Sequence, residues 1–153
     1  MLKSALLSKF RWIAGAVLLL ATAASHAVDF KTVGATPVIL YDAPSAKGGK
    51  LYVAPRGMPL EVVLSYGEWV KVRDASGEMA WTEAKGLSAK RNVVARAANL
   101  KVRASPDDTA SPIILVDKGV LLEMSEQPSA GWIKVRHKDG QSGYVKTSEV
   151  WGL

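Results

Sequence analysis

The sequence contains no cysteine among its 153 residues. This absence excludes disulfide bonds, thiolate metal sites, a cysteine nucleophile and the lipid-bearing cysteine of a lipoprotein. Small exported domains often depend on disulfides. This chain must therefore obtain its stability from the packing of its core.

Histidine is also scarce, with two residues in the whole chain. Beyond residue 27 the sequence keeps only His137, in a predicted loop with no nucleophile motif beside it. There is no GxSxG motif, no HExxH motif and no histidine cluster, and the adjacent acids Asp107 and Asp108 are typical of a turn. We therefore expect no catalytic residues, no metal and no cofactor, and hence a protein that is not an enzyme.

One long apolar run occurs, and it lies near the amino terminus. Three basic residues precede an apolar stretch over 12–24, and the small-x-small sequence Ser25-His26-Ala27 follows it. This arrangement predicts a secretory signal peptide over residues 1–27. A retained membrane anchor is the alternative, but the roughly 13 apolar residues fall short of the about 20 that span a bilayer. We expect an exported, periplasmic protein with no membrane span after cleavage.

The net charge of +6 is no argument for nucleic-acid binding. Three of the 20 basic residues belong to the predicted signal peptide, which leaves 17 basic against 14 acidic residues with both signs mixed. Such a balance is ordinary for a soluble surface. It is compatible with weak attraction to anionic headgroups or cell-wall polymers, and we expect no nucleic-acid partner.

The rest of the chain contains two copies of one unit. Aligning Pro44 with Pro106 gives an offset of 62 residues, and one inserted residue in the turn over 125–131 raises the offset to 63. The pairs that share these offsets are Val38 with Leu100, Leu40 with Val102, Gly57 with Gly119, Leu60 with Leu122, Trp69–Arg73 with Trp132–Arg136, Gly77 with Gly140, and Trp81 with Tyr144. We interpret this match over some 45 positions as a duplicated domain.

Each copy reads as short strands separated by turn residues, which predicts an all-β fold. Asp139-Gly140 between two alternating runs is a strong hairpin signal, and Ser76-Gly77 takes its place in the first copy. The predicted domains are 33–90 and 95–153, joined by a segment over 87–97 that is either a joint or a final strand. The strands predicted in the second copy are 100–103, 113–116, 120–125, 132–136 and 142–145.

The residues resemble the SH3 family, and its bacterial members in particular. The stretch GWIKVRHKDGQSGYVKTSEV over 131–150 resembles the end of an SH3 domain. The segment over 100–103, with Pro106 and Lys118-Gly119 after it, resembles the opening of bacterial SH3 domains. The first copy matches through Gly57, the Trp69 strand and Trp81. The resemblance implies two tandem SH3-like β-barrels, each of about five or six strands, that recognise ligands.

The resemblance also implies a class of partner. Eukaryotic SH3 domains hold polyproline helices in aromatic grooves, whereas bacterial members outside the cell are associated with cell-wall peptides or envelope proteins. The groove's Pro and Tyr are replaced here by Lys146 and the Glu149 region, and in the first copy by Glu83 and Lys85. A proline-rich ligand is therefore disfavoured, and the expected partner is a cell-wall peptide or an envelope protein.

The two strands that begin with Trp69 and Trp132 carry the best candidates for ligand contact. Since side chains alternate between the faces of a strand, we predict that Val70, Val72, Ile133 and Val135 fill the core. Trp69, Lys71 and Arg73 then share the outer face, as do Trp132, Lys134 and Arg136. An aromatic ring among cations can stack on a ligand while the cations bind its carboxylates. The alternative is that each Trp is scaffold and covers a loop.

The candidate set differs between the copies. Tyr41, Asp42 and Tyr66 lie where ligand-facing loops are expected in the first copy, and Arg103 replaces Tyr41 in the second, so the copies need not bind the same ligand. Trp81 and Tyr144 follow small residues and have family equivalents close to the core, which indicates a structural role. The candidate ligand-binding residues are Trp69, Trp132, Tyr41, Asp42, Tyr66, Arg73, Arg103 and Arg136.

Two functions remain open at the level of sequence. One is a binding or adaptor module of the cell envelope. The other is a purely structural unit whose grooves are filled by the neighbouring module or by a second copy in a dimer. The exposure of Trp69 and Trp132 distinguishes them, because a binding groove must be open.

Overall fold

The computed structural model describes residues 27–153. The predicted signal peptide lies almost wholly outside the described residues and stays a prediction. Within the described part, no helix is long and apolar enough to cross a membrane. The described chain is all-β, as predicted, and its strands form two seven-stranded antiparallel sheets.

The first module is one coiled sheet with the strand order β3-β2-β6-β5-β4-β1-β7. A single 3₁₀ turn over Ala84–Gly86 leads into the last strand, which returns to pair with the first. Its strands are β1 (Asp29–Val33), β2 (Val38–Tyr41), β3 (Lys50–Ala54), β4 (Pro59–Tyr66), β5 (Trp69–Arg73), β6 (Met79–Glu83) and β7 (Leu87–Ser88).

The second module repeats this topology strand for strand, in the order β10-β9-β13-β12-β11-β8-β14. The duplicated sequence therefore folds as a duplicated sheet. Its strands are β8 (Asn92–Ala95), β9 (Leu100–Arg103), β10 (Pro112–Val116), β11 (Leu121–Met124), β12 (Trp132–Arg136), β13 (Ser142–Lys146) and β14 (Val150–Trp151).

All five strands predicted in the second copy are present within one residue at either end. The segment over 87–97 contains β7 of the first module and β8 of the second, so the joint between the sheets is only Ala89 to Arg91. The domain limits 33–90 and 95–153 stay a prediction, and β1 and β8 begin before them.

The predicted alternation of β5 and β12 is confirmed. Val70, Val72, Ile133 and Val135 are 7%, 0%, 1% and 0% exposed. Each pair belongs to the apolar core of its own module, and the side chains between them face outwards. Each module therefore contains its own core.

The two hairpin glycines that the sequence pairs adopt the same positive-φ backbone. Gly77 has φ = 93° and Gly140 has φ = 92°, a region that residues with a Cβ rarely adopt. Each donates its N–H to the start of its turn, Gly77 to the Asp74 carbonyl at 3.0 Å and Gly140 to the His137 carbonyl at 2.9 Å. The positive φ therefore explains why a glycine occupies this position of the predicted hairpin turn in both copies.

The two modules pack against each other through β1 and the turn at Gly57 of the first module, and through Arg91, β8 and β14 of the second. The ring of Phe30 meets the edge of Trp151 with centroids 4.9 Å apart, and the Arg91 guanidinium lies 5.6 Å from the Phe30 centroid. Asn92 Nδ2 donates a hydrogen bond to the Gly57 carbonyl at 2.8 Å. These contacts form the junction between the modules.

Replacing Gly143 by alanine is expected to destabilise the second module by about 1–3 kcal/mol. A Cβ at Gly143 would lie 2.5 Å from the Arg103 carbonyl oxygen and 2.7 Å from Val102 Cγ1, so backbone or core must shift. Chemical denaturation followed by tryptophan fluorescence measures the loss. Ala80, the equivalent residue of the first module, already carries a Cβ at 3% exposure. Amide hydrogen exchange should therefore accelerate in the second module alone, and uniform acceleration in both would contradict the proposed clash.

Candidate functional site

Three strands of the first module bring aromatic side chains together on its outer face. The rings of Tyr41 and Trp69 meet edge to face, with centroids 5.5 Å apart and an interplanar angle of 82°. Trp81 on β6 is paired opposite Tyr41 on one side and opposite Lys71 on the other. Side chains that are directly opposite across strands lie on the same face, so these four residues share one surface, and each is partly exposed.

Tyr66 extends this surface across β4. It is paired opposite Trp69 and its side chain is 67% exposed. We call the surface formed by Tyr41, Tyr66, Trp69 and Trp81 the aromatic face. The Lys71 ammonium lies over it, 6.0 Å from the centroid of the Trp81 ring, where a cation is attracted by the π-system.

Asp42 borders the aromatic face and orders the neighbouring loop. Its Oδ1 accepts a hydrogen bond from the Gly49 N–H at 2.7 Å, and the Gly49 carbonyl accepts one from the Asp42 N–H at 2.9 Å. Gly49 fits because a Cβ there would lie 2.6 Å from Asp42 Oδ2. Asp42 is exposed, but part of its hydrogen-bonding capacity already closes this loop.

The two arginines of the candidate set lie away from the tryptophans and are already paired. Arg73 Nη1 lies 3.0 Å from Glu61 Oε2, and Arg136 Nη2 lies 3.0 Å from both carboxylate oxygens of Glu123. Each arginine ends the strand that its tryptophan begins, about 13 Å further along at 3.3 Å per residue. The structure therefore does not bring Arg73 or Arg136 to the aromatic rings.

The equivalent surface of the second module has fewer rings and more cations. Lys146 lies 5.9 Å from the Trp132 ring centroid, and Lys134 lies 5.9 Å from that of Tyr144. Arg103 is paired opposite Tyr144 and donates from Nη1 to the Ala110 carbonyl at 2.7 Å. Arg103 thus occupies the position that Tyr41 has in the first module.

Carboxylates of the second module bind these lysines. Asp108 Oδ1 lies 2.5 Å from Lys146 Nζ, and Glu126 Oε1 lies 3.4 Å from Lys134 Nζ. The adjacent Asp107 accepts hydrogen bonds from the N–H and hydroxyl of Thr109, which confirms that the acidic pair belongs to a turn. The cations beside Trp132 are therefore partly neutralised within their own module.

Trp81 and Tyr144 do not lie close to the core, where the family resemblance places their equivalents. Both face outwards and are partly exposed, while their neighbours on the strand, including Ala80 and Val145, are buried. The reason is strand alternation, since the small residue before each ring fills the inward position. Lys71 and Trp81 were thus missing from the candidate set, although the alternation that places Trp69 outwards also applies to Lys71.

The fold and the site are those of small all-β modules, the first of which carries a partly exposed aromatic surface, and the comparison of sequences identifies the family. A family model described as the bacterial SH3 domain matches residues 34–88 and again 96–152. The chain therefore belongs to the bacterial SH3 domain family, with two domains in tandem. No curated protein matches the chain significantly.

Solved structures that match the chain in a comparison of structures include NlpC2 and NlpC1 from Trichomonas vaginalis and an NlpC/P60 family protein from Bacillus cereus. Their sequence identities are 11%, 13% and 13%, over 83%, 90% and 82% of this chain, with TM-scores of 0.38, 0.38 and 0.36. The chain covers 49%, 50% and 56% of their lengths, respectively.

Proposed function

We propose that this protein is an exported binding module of the cell envelope, and that its aromatic face binds a cell-wall peptide. The observation that carries the proposal is the Tyr41–Trp69 pair beside Trp81 and Lys71 on an open surface. Rings on such a surface can stack on a short extended ligand, and the Lys71 ammonium can bind a ligand carboxylate. An extended segment of an envelope protein offers similar groups and is the alternative partner.

The arrangement of the modules supports binding over a purely structural role. The described contacts of the junction involve Phe30 and Gly57 of the first module with Arg91, Asn92 and Trp151 of the second. The aromatic partner of Trp69 belongs to its own module, and so does the lysine over Trp132. The candidate tryptophans are therefore separate from the residues that join the modules.

The proposal predicts unequal effects of the two tryptophans on binding. Trp69→Ala is expected to weaken the binding of purified peptidoglycan by roughly 30-fold, because loss of a central aromatic anchor costs about 2 kcal/mol. Trp132→Ala is the matched control, with an expected loss of about threefold or less, because its surface is occupied by ion pairs. Co-sedimentation of the exported protein with peptidoglycan gives both dissociation constants.

Circular dichroism of both variants separates loss of binding from loss of fold. If both stay folded and bind as tightly as the parent, the tryptophans are scaffold and the proposal is wrong. Sedimentation velocity tests the dimer alternative, which predicts a dimeric parent and a monomeric Trp69→Ala variant. A monomeric parent that binds peptidoglycan through Trp69 supports the proposal.

A further inference from the structure

A concave surface lies between the two modules, away from the aromatic face. This cleft has a volume of about 920 Å³. The first module contributes residues 32–35 and the turn at Arg56, and the second contributes the start of β11 and the hairpin between β12 and β13. Its walls therefore exist only when the two modules are packed together.

The cleft has a strong excess of positive charge. Glu123 is its one carboxylate among the described lining residues, and it is already bound by Lys90 at 3.0 Å and by Arg136 at 3.0 Å. Hydrogen bonds from Lys90 and Arg136 lower the pKa of Glu123, which is ionised at neutral pH. Arg56 and Lys138 have no carboxylate within 4.0 Å in the part of the chain that the structure describes. His137, which also lines the cleft, lies with its Nδ1 3.0 Å from Asp139 Oδ1.

Two residues that line the cleft also carry buried polar atoms whose hydrogen bonds are incomplete. Thr32 is 2% exposed, and its hydroxyl has no partner among the described residues. Asn92 donates from Nδ2 to the Gly57 carbonyl, but its Oδ1 is likewise without a partner. Buried polar atoms normally have partners, and an unmade bond costs about 1–3 kcal/mol. The junction therefore maintains hydrogen-bonding groups that its own packing does not satisfy.

We propose that this cleft between the modules is a second ligand site, which binds an anionic oxygen group, either a carboxylate or a phosphate. Arg56 and Lys138 supply charge that the protein itself does not neutralise, and Lys90 and Arg136 add to it. Thr32 and Asn92 then bind polar groups of the same ligand, directly or through a bridging water. The inference is independent of the proposed function, because it uses none of the aromatic face.

The substitution Thr32→Val gives the sharpest test, because affinity and stability respond differently to it. Valine has a similar shape and lacks the hydroxyl. The probes are inorganic phosphate and acetyl-alanyl-alanine, titrated separately into isotope-labelled exported protein and followed by NMR. At least one probe should cause saturable chemical-shift changes at cleft residues, and this probe identifies the anion. Thr32→Val should weaken the binding of that probe by about fivefold or more. Thermal stability should stay equal or rise, since an unpartnered buried hydroxyl is removed.

The charge of the site is tested by removing the free cations. The double variant Arg56→Ala/Lys138→Ala should weaken the binding of the same probe by about tenfold or more. Lys47→Ala/Lys101→Ala, which removes two exposed cations outside the cleft, should change the affinity by less than about twofold.

Three results would overturn the inference. They are the absence of saturable shifts in the cleft with either probe, equal weakening by the two double variants, and unchanged affinity in Thr32→Val. The Trp69→Ala variant should bind the probes as the parent does. Failure of the cleft and failure of the aromatic face are thus distinguishable.

Discussion

Replacing Val72 or Val135 by alanine is expected to lower the free energy of unfolding by about 1–3 kcal/mol. Both side chains are 0% exposed and lie in the cores of different modules. Each substitution removes buried methyl groups and leaves a cavity that β-sheet packing cannot fully close. Urea denaturation measured by fluorescence and circular dichroism gives the change for each module.

Lys71→Ala is the matched control, because Lys71 is the strand neighbour of Val72 on the opposite face. Its expected loss is about 0.5 kcal/mol or less, as for most exposed positions. Equal losses at Val72 and Lys71 would contradict the inward and outward assignment of β5. Comparable losses at Val72 and Val135 would show that the two cores are similarly packed.

Replacing Asp74 by alanine is expected to destabilise the first module by about 2–3 kcal/mol at neutral pH. Asp74 is 7% exposed and accepts hydrogen bonds from the Tyr52 hydroxyl at 2.5 Å and the Ser76 hydroxyl at 2.6 Å. It also accepts from the N–H groups of Ser76 and Glu78 at 2.9 Å and 3.1 Å. The substitution leaves the partly buried Tyr52 hydroxyl without this partner, and denaturation at pH 7 measures the loss.

The effect of Asp74 should depend on pH in a defined direction. Burial raises the pKa of Asp74, but hydrogen bonds from Ser76, Tyr52 and the backbone outweigh it and lower the pKa below its ordinary value. The folded state therefore holds the carboxylate more strongly than the unfolded state, whose pKa is about 3.9. This stabilisation is complete well above pH 4 and is lost as the pH falls through the folded pKa. The stability difference between parent and Asp74→Ala should shrink in acid.

Asp139 in the second module provides the comparison for Asp74. It is exposed, and its Oδ1 accepts the Gln141 N–H at 3.0 Å in the equivalent hairpin. Asp139→Ala should cost about 0.5 kcal/mol. An equal cost at both aspartates, or a difference at Asp74 that persists unchanged to pH 3, would contradict the role of the buried hydrogen-bond network.

Much of this network could not be predicted from the repeat. His137 replaces Asp74 in the second copy, and Ile114 is paired opposite Val102 where Tyr52 is paired opposite Leu40. The repeat therefore identifies the hairpin but not the buried bond between Tyr52 and Asp74, because the two residues lie 22 positions apart. Folding alone brings them within hydrogen-bond distance.

The candidate site was likewise predictable from the sequence only in part. Sequence reasoning selected Tyr41, Tyr66 and Trp69, and the structure places them together with Trp81. The sequence pattern also predicts that Arg73 and Arg136 contact a ligand, because both side chains face outwards. The pattern does not reveal that each arginine pairs with a glutamate on the neighbouring strand. Outward direction depends on local alternation, whereas pairing depends on the register of a different strand.

The sequence alone determined the duplication, the all-β class and the inward faces of β5 and β12. These features are readable because turn residues and period-two alternation act over a few neighbouring positions and occur twice in the chain. The aromatic face, the arginine–glutamate pairs and the basic cleft depend on tertiary structure. They join residues from separate strands or separate modules, so they exist only after strand register and module packing have been established.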